Sequence, residues 1–336
     1  MRLPRLHALA AVSFTALMAA PTARADSLNV VASIKPVHSL VAAVMGDLGN
    51  PHLLVSGADS PHTYSMRPSD AEALSNADVV FWVGEELETF LERPIENLGT
   101  GAQAVALLHA PGMTLLNYPE GAGDHDHEHE HADGDEHEAG HEAEHAAEEH
   151  HDEDEDEEHH HHTGVDPHVW LDPANARAMV AEIVAVLSEK DPTDAETYRR
   201  NGAAVAAKLE QIEAATAEAL KPYHDVPYFT FHESFRYFDA RFGLHGQGAI
   251  SISPERQPGA QRLKEIRAEI EEHGRACIFA EPQFPPKLVD VIVEGTSAHT
   301  GTLDPLGAAL EPGPDLYPAL IAFNRDAFSH CFQSTM

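Results

Sequence analysis

Short apolar runs alternating with amphipathic segments constrain this chain more than any other feature. "LNVVASI" at 28–34 is a β-branched run, and "PVHSLVAAVMG" follows it with helical periodicity between Pro36 and Gly46. "PHLLVS" at 51–56 reads as a second strand and "ADVVFWVG" at 77–84 as a third. Between them "RPSDAEAL" opens a helix in which Ser69 and Glu72 have capping-box spacing. Short strands separated by helices bury both faces in a parallel sheet covered by helices.

The second half repeats this pattern. "PYFTF" at 227–231, "GAISIS" at 248–253 and "ACIFAEP" at 276–282 read as strands, with helices over 235–242, 258–273 and 286–295. "AHTGTLDP" and a terminal helix carrying Cys331 close the chain. Between the halves, Asp172 and Pro173 look like the cap and first residue of a helix reaching about residue 190. A longer helix follows from "TDAE", with Thr193 and Glu196 again in capping-box spacing, and Pro222 stops it after Leu220. Val205, Leu209 and Ile212 share one face of it, and a helix of this length spans roughly 40 Å. The expected fold is therefore α/β: two lobes, each a parallel sheet flanked by helices, joined by one long linking helix, with a ligand cleft between them. The expected boundaries are 26–190 for the N-terminal lobe, 192–222 for the linking helix and 223–336 for the C-terminal lobe.

Two segments stand outside this alternation. In residues 1–25, Arg2 and Arg5 precede an apolar run, and "ARA" at 23–25 resembles a signal-peptidase site. The expectation is an exported, soluble, periplasmic protein beginning at Asp26. The second segment, 119–163, holds the His and acid residues of a low-complexity loop. Residues 119–162 contain 20 Asp or Glu, 13 His and no Lys or Arg, against a formal charge of −35 for the whole chain. With almost no apolar side chains it cannot offset the entropy of ordering, so the expectation is a disordered surface loop. No basic patch suits a nucleic acid.

"HEAGHEAEH" at 137–145 matches the zinc-protease pattern H-E-x-x-H twice, and "HEHEH" at 127–131 matches it again. That chemistry requires both histidines on one face of a packed helix, with a third ligand and a positioned water. This segment has no apolar face to pack, and its composition alone generates the pattern. The reading that fits is an accessory site: His125, His127, His129, His131, His137, His141, His145, His150, His151, His159, His160, His161 and His162 binding additional zinc weakly among carboxylates.

Of the eleven histidines outside the loop and the leader, three stand apart by context. His62 lies in "SPHTYSMRPSD" after a strand, His168 in "DPHVWLDP" before a helix, and His232 in "FTFHESF" at a strand end. Parallel sheets place ligands at such positions. Asp304, in "TGTLDPLG", occupies the same kind of position in the second lobe. Three imidazoles and one oxygen form a good tetrahedral zinc set. Two cysteines, Cys277 and Cys331, read as one disulfide in an exported protein; without a C-x-x-C spacing they make a poor metal site.

"SPHTYSMRPSD", "ADVVFWVGEELETFLERPI", "DPHVWLDPANA", "FTFHESFRYF" and "TGTLDPLG" resemble the metal-binding substrate-binding proteins of ABC transporters, over essentially the whole chain after the leader. The resemblance implies a Zn²⁺ site of His62, His168 and His232 in the interdomain cleft, with Asp304 matching the family's C-terminal carboxylate. Some zinc members use solvent, or a glutamate just before the first histidine; that position here is Pro61. Manganese-type members resemble this pattern with a carboxylate where His232 stands, and nitrogen there favours zinc. The resemblance also implies the Cys277–Cys331 pairing found in Gram-negative zinc members. As partners it implies an inner-membrane ABC permease with its cytoplasmic ATPase, and a periplasmic zinc chaperone is a further expected partner. The chain is expected to be a monomer and not an enzyme. The alternatives are a periplasmic zinc buffer or adhesin, in which the loop is the main functional element, and a secreted zinc hydrolase.

Overall fold

The computed structural model describes residues 28–97, 101–118, 164–251, 258–285 and 287–335. The expected leader at 1–25, the His- and acid-rich segment at 119–163 and the accessory histidines within it lie outside the described residues.

The first lobe is built from β1 (Val30–Ile34), α1 (Lys35–Met45), β2 (His52–Val55), α2 (Pro68–Ser75), β3 (Val79–Trp82), α3 (Glu92–Glu96) and β4 (Gln103–Ala106). Its strands are all parallel, in the order β2-β1-β3-β4. Then come α4 (Pro173–Lys190) and α5 (Ala195–Leu220). The second lobe follows with β5 (Tyr228–His232), α6 (Arg236–Phe242), β6 (Gly246–Ser251), α7 (Ala260–His273), β7 (Cys277–Ala280), α8 (Lys287–Val293), β8 (His299–Thr302) and α9 (Leu316–Thr335). Its sheet is again all parallel, in the order β6-β5-β7-β8.

The long helix is real: α5 has 26 residues, roughly 40 Å of rise, and leads through a short 3-10 turn at Lys221–Tyr223 into the second sheet. Leu209 is buried on it, and Val205 and Ile212 pack half-buried against the same core. Asp172 caps α4 as expected, accepting from the Ala174 N–H at 2.7 Å, with Pro173 leading the helix.

Two expected caps are replaced by others. Helix α2 begins at Pro68, so its closing contact is the Arg67 N–H donated to Asp70 Oδ2 at 2.8 Å, not a pairing of Ser69 with Glu72. Helix α5 begins at Ala195, and Asp191 Oδ1 takes the N–H groups of Thr193 and Asp194 ahead of it, so Thr193 and Glu196 do not close a box. In both cases a nearby aspartate reaches the free amides first. Strand β4 was not foreseen, because "QAVA" is four residues at a sheet edge without a β-branched run. Among the described residues no helix is long and apolar enough to cross a membrane.

One continuous apolar core runs through both lobes. Val30, Val37 and Val79 of the first share it with Tyr228, Tyr317 and Phe328 of the second, and Trp170, Met179 and Leu209 lie between. The smaller clusters fill the outer faces of each sheet. Cys277 of β7 and Cys331 of α9 form a disulfide, tying the last helix to the centre of the second sheet.

Candidate metal site

The crossing of connections in the second lobe creates the site. Chain order β5, β6, β7 with sheet order β6-β5-β7 sends one connection each way from β5, which opens a crevice at the carboxyl ends of β5 and β7. His232 is the last residue of β5, and Glu281 comes directly after β7. His168 enters from the first half, one residue before the 3-10 turn Val169–Leu171 that leads into α4. His62 arrives from the segment between β2 and α2.

These three side chains converge, as expected from their positions. His62 Nε2 and His168 Nε2 are 3.3 Å apart, as are His232 Nε2 and His168 Nε2. Four ligands at 2.0–2.1 Å around a tetrahedral zinc ion stand about 3.3–3.4 Å from one another, so these spacings are those of a coordination tetrahedron's edges. His168 and His232 are buried, and His62 is half-buried at the rim. Of the described residues, these three are the His, Cys, Asp and Glu side chains grouped closely enough to hold an ion.

Carboxylates set the ring tautomers. Asp166 Oδ1 lies 2.8 Å from His168 Nδ1 and also accepts the His168 N–H at 3.0 Å. Glu281 Oε2 lies 2.7 Å from His232 Nδ1, and its Oε1 accepts the His232 N–H at 3.1 Å. An ionised carboxylate only accepts, so in the neutral imidazoles each Nδ1 carries the proton and each Nε2 presents a lone pair. Lone pairs 3.3 Å apart repel one another, and a cation between them converts that repulsion into coordination. Both carboxylates are fully buried. Sequence reasoning missed them, although Asp166 stands two residues before His168 and Glu281 immediately past a buried strand.

Asp304 is not drawn into this triangle. It is buried, but its Oδ1 accepts the N–H groups of Leu306 and Gly307 and its Oδ2 that of Ala308, at 2.6–3.0 Å. Gln283 Nε2 donates to Oδ1 as well, at 3.2 Å. The carboxylate thus closes the turn after β8. The carbonyls of that turn point the other way: Lys35 Nζ donates to Gly307, Ala308 and Leu310 at 2.8–3.0 Å. Trp170 Nε1 donates to the Pro305 carbonyl at 2.8 Å, which holds the turn beside His168.

Residues 30–331 match the family ZnuA, zinc-uptake complex component A, periplasmic. The chain belongs to this family. It is 46% identical over 331 residues to the high-affinity zinc uptake system protein ZnuA of Brucella abortus, covering 97% of this chain and 98% of that protein. It is 41% identical over 314 residues to the protein of the same description from Paracoccus denitrificans, covering 93% and 94%. A crystal structure of ZnuA superposes with a TM-score of 0.70 at 24% identity, covering 91% of this chain and all of that one. The periplasmic zinc binding protein TroA from Treponema pallidum superposes at 0.72 with 20% identity, covering 90% and 98%. At those identities the structural matches speak for the shared fold.

Proposed function

We propose that this protein captures Zn²⁺ in the periplasm, as cargo, and delivers it to an inner-membrane ABC permease driven by a cytoplasmic ATPase. The observation that carries this reading is the convergence of His62, His168 and His232, with the Nε2 atoms of His62 and His232 each 3.3 Å from that of His168 and two of the rings backed by buried carboxylates. Relatives up to 46% identical are described as high-affinity zinc uptake proteins, which supports it. Imidazole nitrogen at position 232 favours zinc over manganese. Family membership argues for transport, and the reading assigns no reaction to the chain. The His- and acid-rich segment, 119–163, is an accessory collector of weaker zinc equivalents, and a zinc chaperone is a further partner. The protein acts as a monomer.

A competitive titration against a chelator tests the assignment. Wild-type protein should show one tight zinc equivalent and several weak ones. Replacing His62, His168 and His232 together by Ala should abolish the tight equivalent and leave the weak ones. Deleting 120–163 should do the reverse; loss of the tight site on that deletion would defeat the cleft assignment. Because ligating imidazoles must be neutral, zinc affinity should fall as the solution is acidified. The histidines of segment 119–163 should release zinc first.

A further inference from the structure

Three histidines leave one vertex of a zinc tetrahedron to be filled. Asp304 is engaged by three backbone N–H groups and a side-chain amide. Pro61, on the other side of His62, has no donor to offer. The cavity at the triangle has a volume of about 10 Å³ and is lined by His62, His168, His232, Gln283, Phe284 and Leu306 among others.

Gln283 lines this cavity from the segment after β7. Its orientation follows from chemistry: Asp304 only accepts, so the amide nitrogen of Gln283 must face it, and the amide oxygen is the other atom. That oxygen, Oε1, is buried and makes no hydrogen bond. A buried acceptor without a partner is costly, typically about 1–3 kcal/mol, and calls for an explanation at the site where it sits. A bound cation beside it supplies one.

We propose that Gln283, held in place by Asp304, supplies the fourth donor to the ion through its amide oxygen. This rests on the cleft being the zinc site. Asp304 then acts as a positioning residue: it takes the amide N–H and turns the oxygen toward the histidines. The resulting donor set is neutral, three imidazole nitrogens and one amide oxygen, which suits a borderline cation better than a hard one.

The test uses the full-length protein with Gln283→Ala and Gln283→Glu, read by chelator competition for Zn²⁺ and by the d–d absorption of bound Co²⁺. Gln283→Ala should weaken zinc binding at least about tenfold and change the Co²⁺ spectrum, because a ligand is lost. Gln283→Glu restores an oxygen at the same reach and should recover most of that affinity while binding Mn²⁺ more tightly than wild type does. Metal-free thermal melting of each variant establishes that it is folded. Wild-type zinc affinity and an unchanged Co²⁺ spectrum in Gln283→Ala would overturn the proposal. So would affinity lost in both variants with the Co²⁺ spectrum unchanged, since Gln283 would then act only on Asp304. Absence of a tight zinc equivalent in the wild type is a separate result, and it defeats the function proposed above.

Discussion

At the scale of single residues, the carboxylates behind the histidines matter as much as the rings they hold. Asp166 holds His168 by hydrogen bonds at Nδ1 and at the backbone N–H, and Glu281 holds His232 by its backbone N–H with its other oxygen in ion-pair contact at 2.7 Å from Nδ1. Asp166→Ala or Glu281→Ala should weaken zinc binding about 10- to 100-fold without removing a ligand, measurable by chelator competition. A different buried acid governs acid–base behaviour away from the cleft. Glu88 accepts from the Ser33 hydroxyl and from the Val83 and Gly84 N–H groups, and burial pushes its carboxyl up to about 7. The unfolded chain ionises Glu88 near the usual value of about 4.3, whereas the folded protein keeps it protonated until about pH 7. Its folded pKa is raised, so the contribution is fully present below the unfolded pKa and is lost as pH rises between those values. The loss is on the order of 3 kcal/mol. Glu88→Gln should remove most of that slope, seen by comparing urea unfolding of metal-free wild type and variant at pH 5 and pH 8.

Elements are held by close approach and by one covalent tie. Gly202 lies inside α5, where alanine would ordinarily stabilise the helix by about 1 kcal/mol. Here a Cβ would stand 2.3 Å from Val184 Cγ2 of α4. Gly202→Ala should therefore destabilise the protein, by roughly 1–3 kcal/mol in urea unfolding, because overpacking outweighs propensity. The Cys277–Cys331 bridge closes a separation of 54 residues. Chain entropy assigns such a loop about 4 kcal/mol, so replacing both cysteines by serine should lower stability by about 2–4 kcal/mol. Zinc affinity should change little, because neither cysteine belongs to the cleft cluster. A fall of the size expected for Asp166→Ala would show that α9 also positions the site.

For the whole molecule, the interface between the lobes decides how metal capture is coupled to shape. The core is continuous across it. Polar pins add to it: Lys35 to the Gly307, Ala308 and Leu310 carbonyls, Trp170 to Pro305, Tyr317 to the Trp170 carbonyl, and Arg241 in a two-pronged pair with Asp172 at 2.7 Å. Lobes with a small polar interface swing freely, but a large apolar one resists. Small-angle scattering of zinc-free and zinc-bound protein should give the same radius of gyration, and a contraction on adding zinc would contradict this rigidity. Zinc at 1,000 times its Kd should nevertheless stabilise the fold by about 4 kcal/mol, visible as a higher melting temperature.

Local chemistry made much of this legible before any coordinates. Strand and helix periods, Pro173 after Asp172 and Pro222 after the long helix are short-range signals, and the elements they mark appear close to where they were expected. The three histidines were also readable, since each sits beside a strand end or a helix start. Tertiary structure alone decided what surrounds them. Asp70 and Asp191 displaced the expected caps because side-chain reach, not spacing, chooses the acceptor. Asp304, expected as a ligand from "TGTLDPLG", accepts the amides of the turn that follows it, a set of contacts that no spacing in the sequence announces. Glu281 and Gln283 lie 49 and 51 positions from His232 and bear on the cleft only because β5 and β7 are neighbours in the sheet. Periodicity reports which face of an element is buried; it carries no information about which distant side chain shares that face.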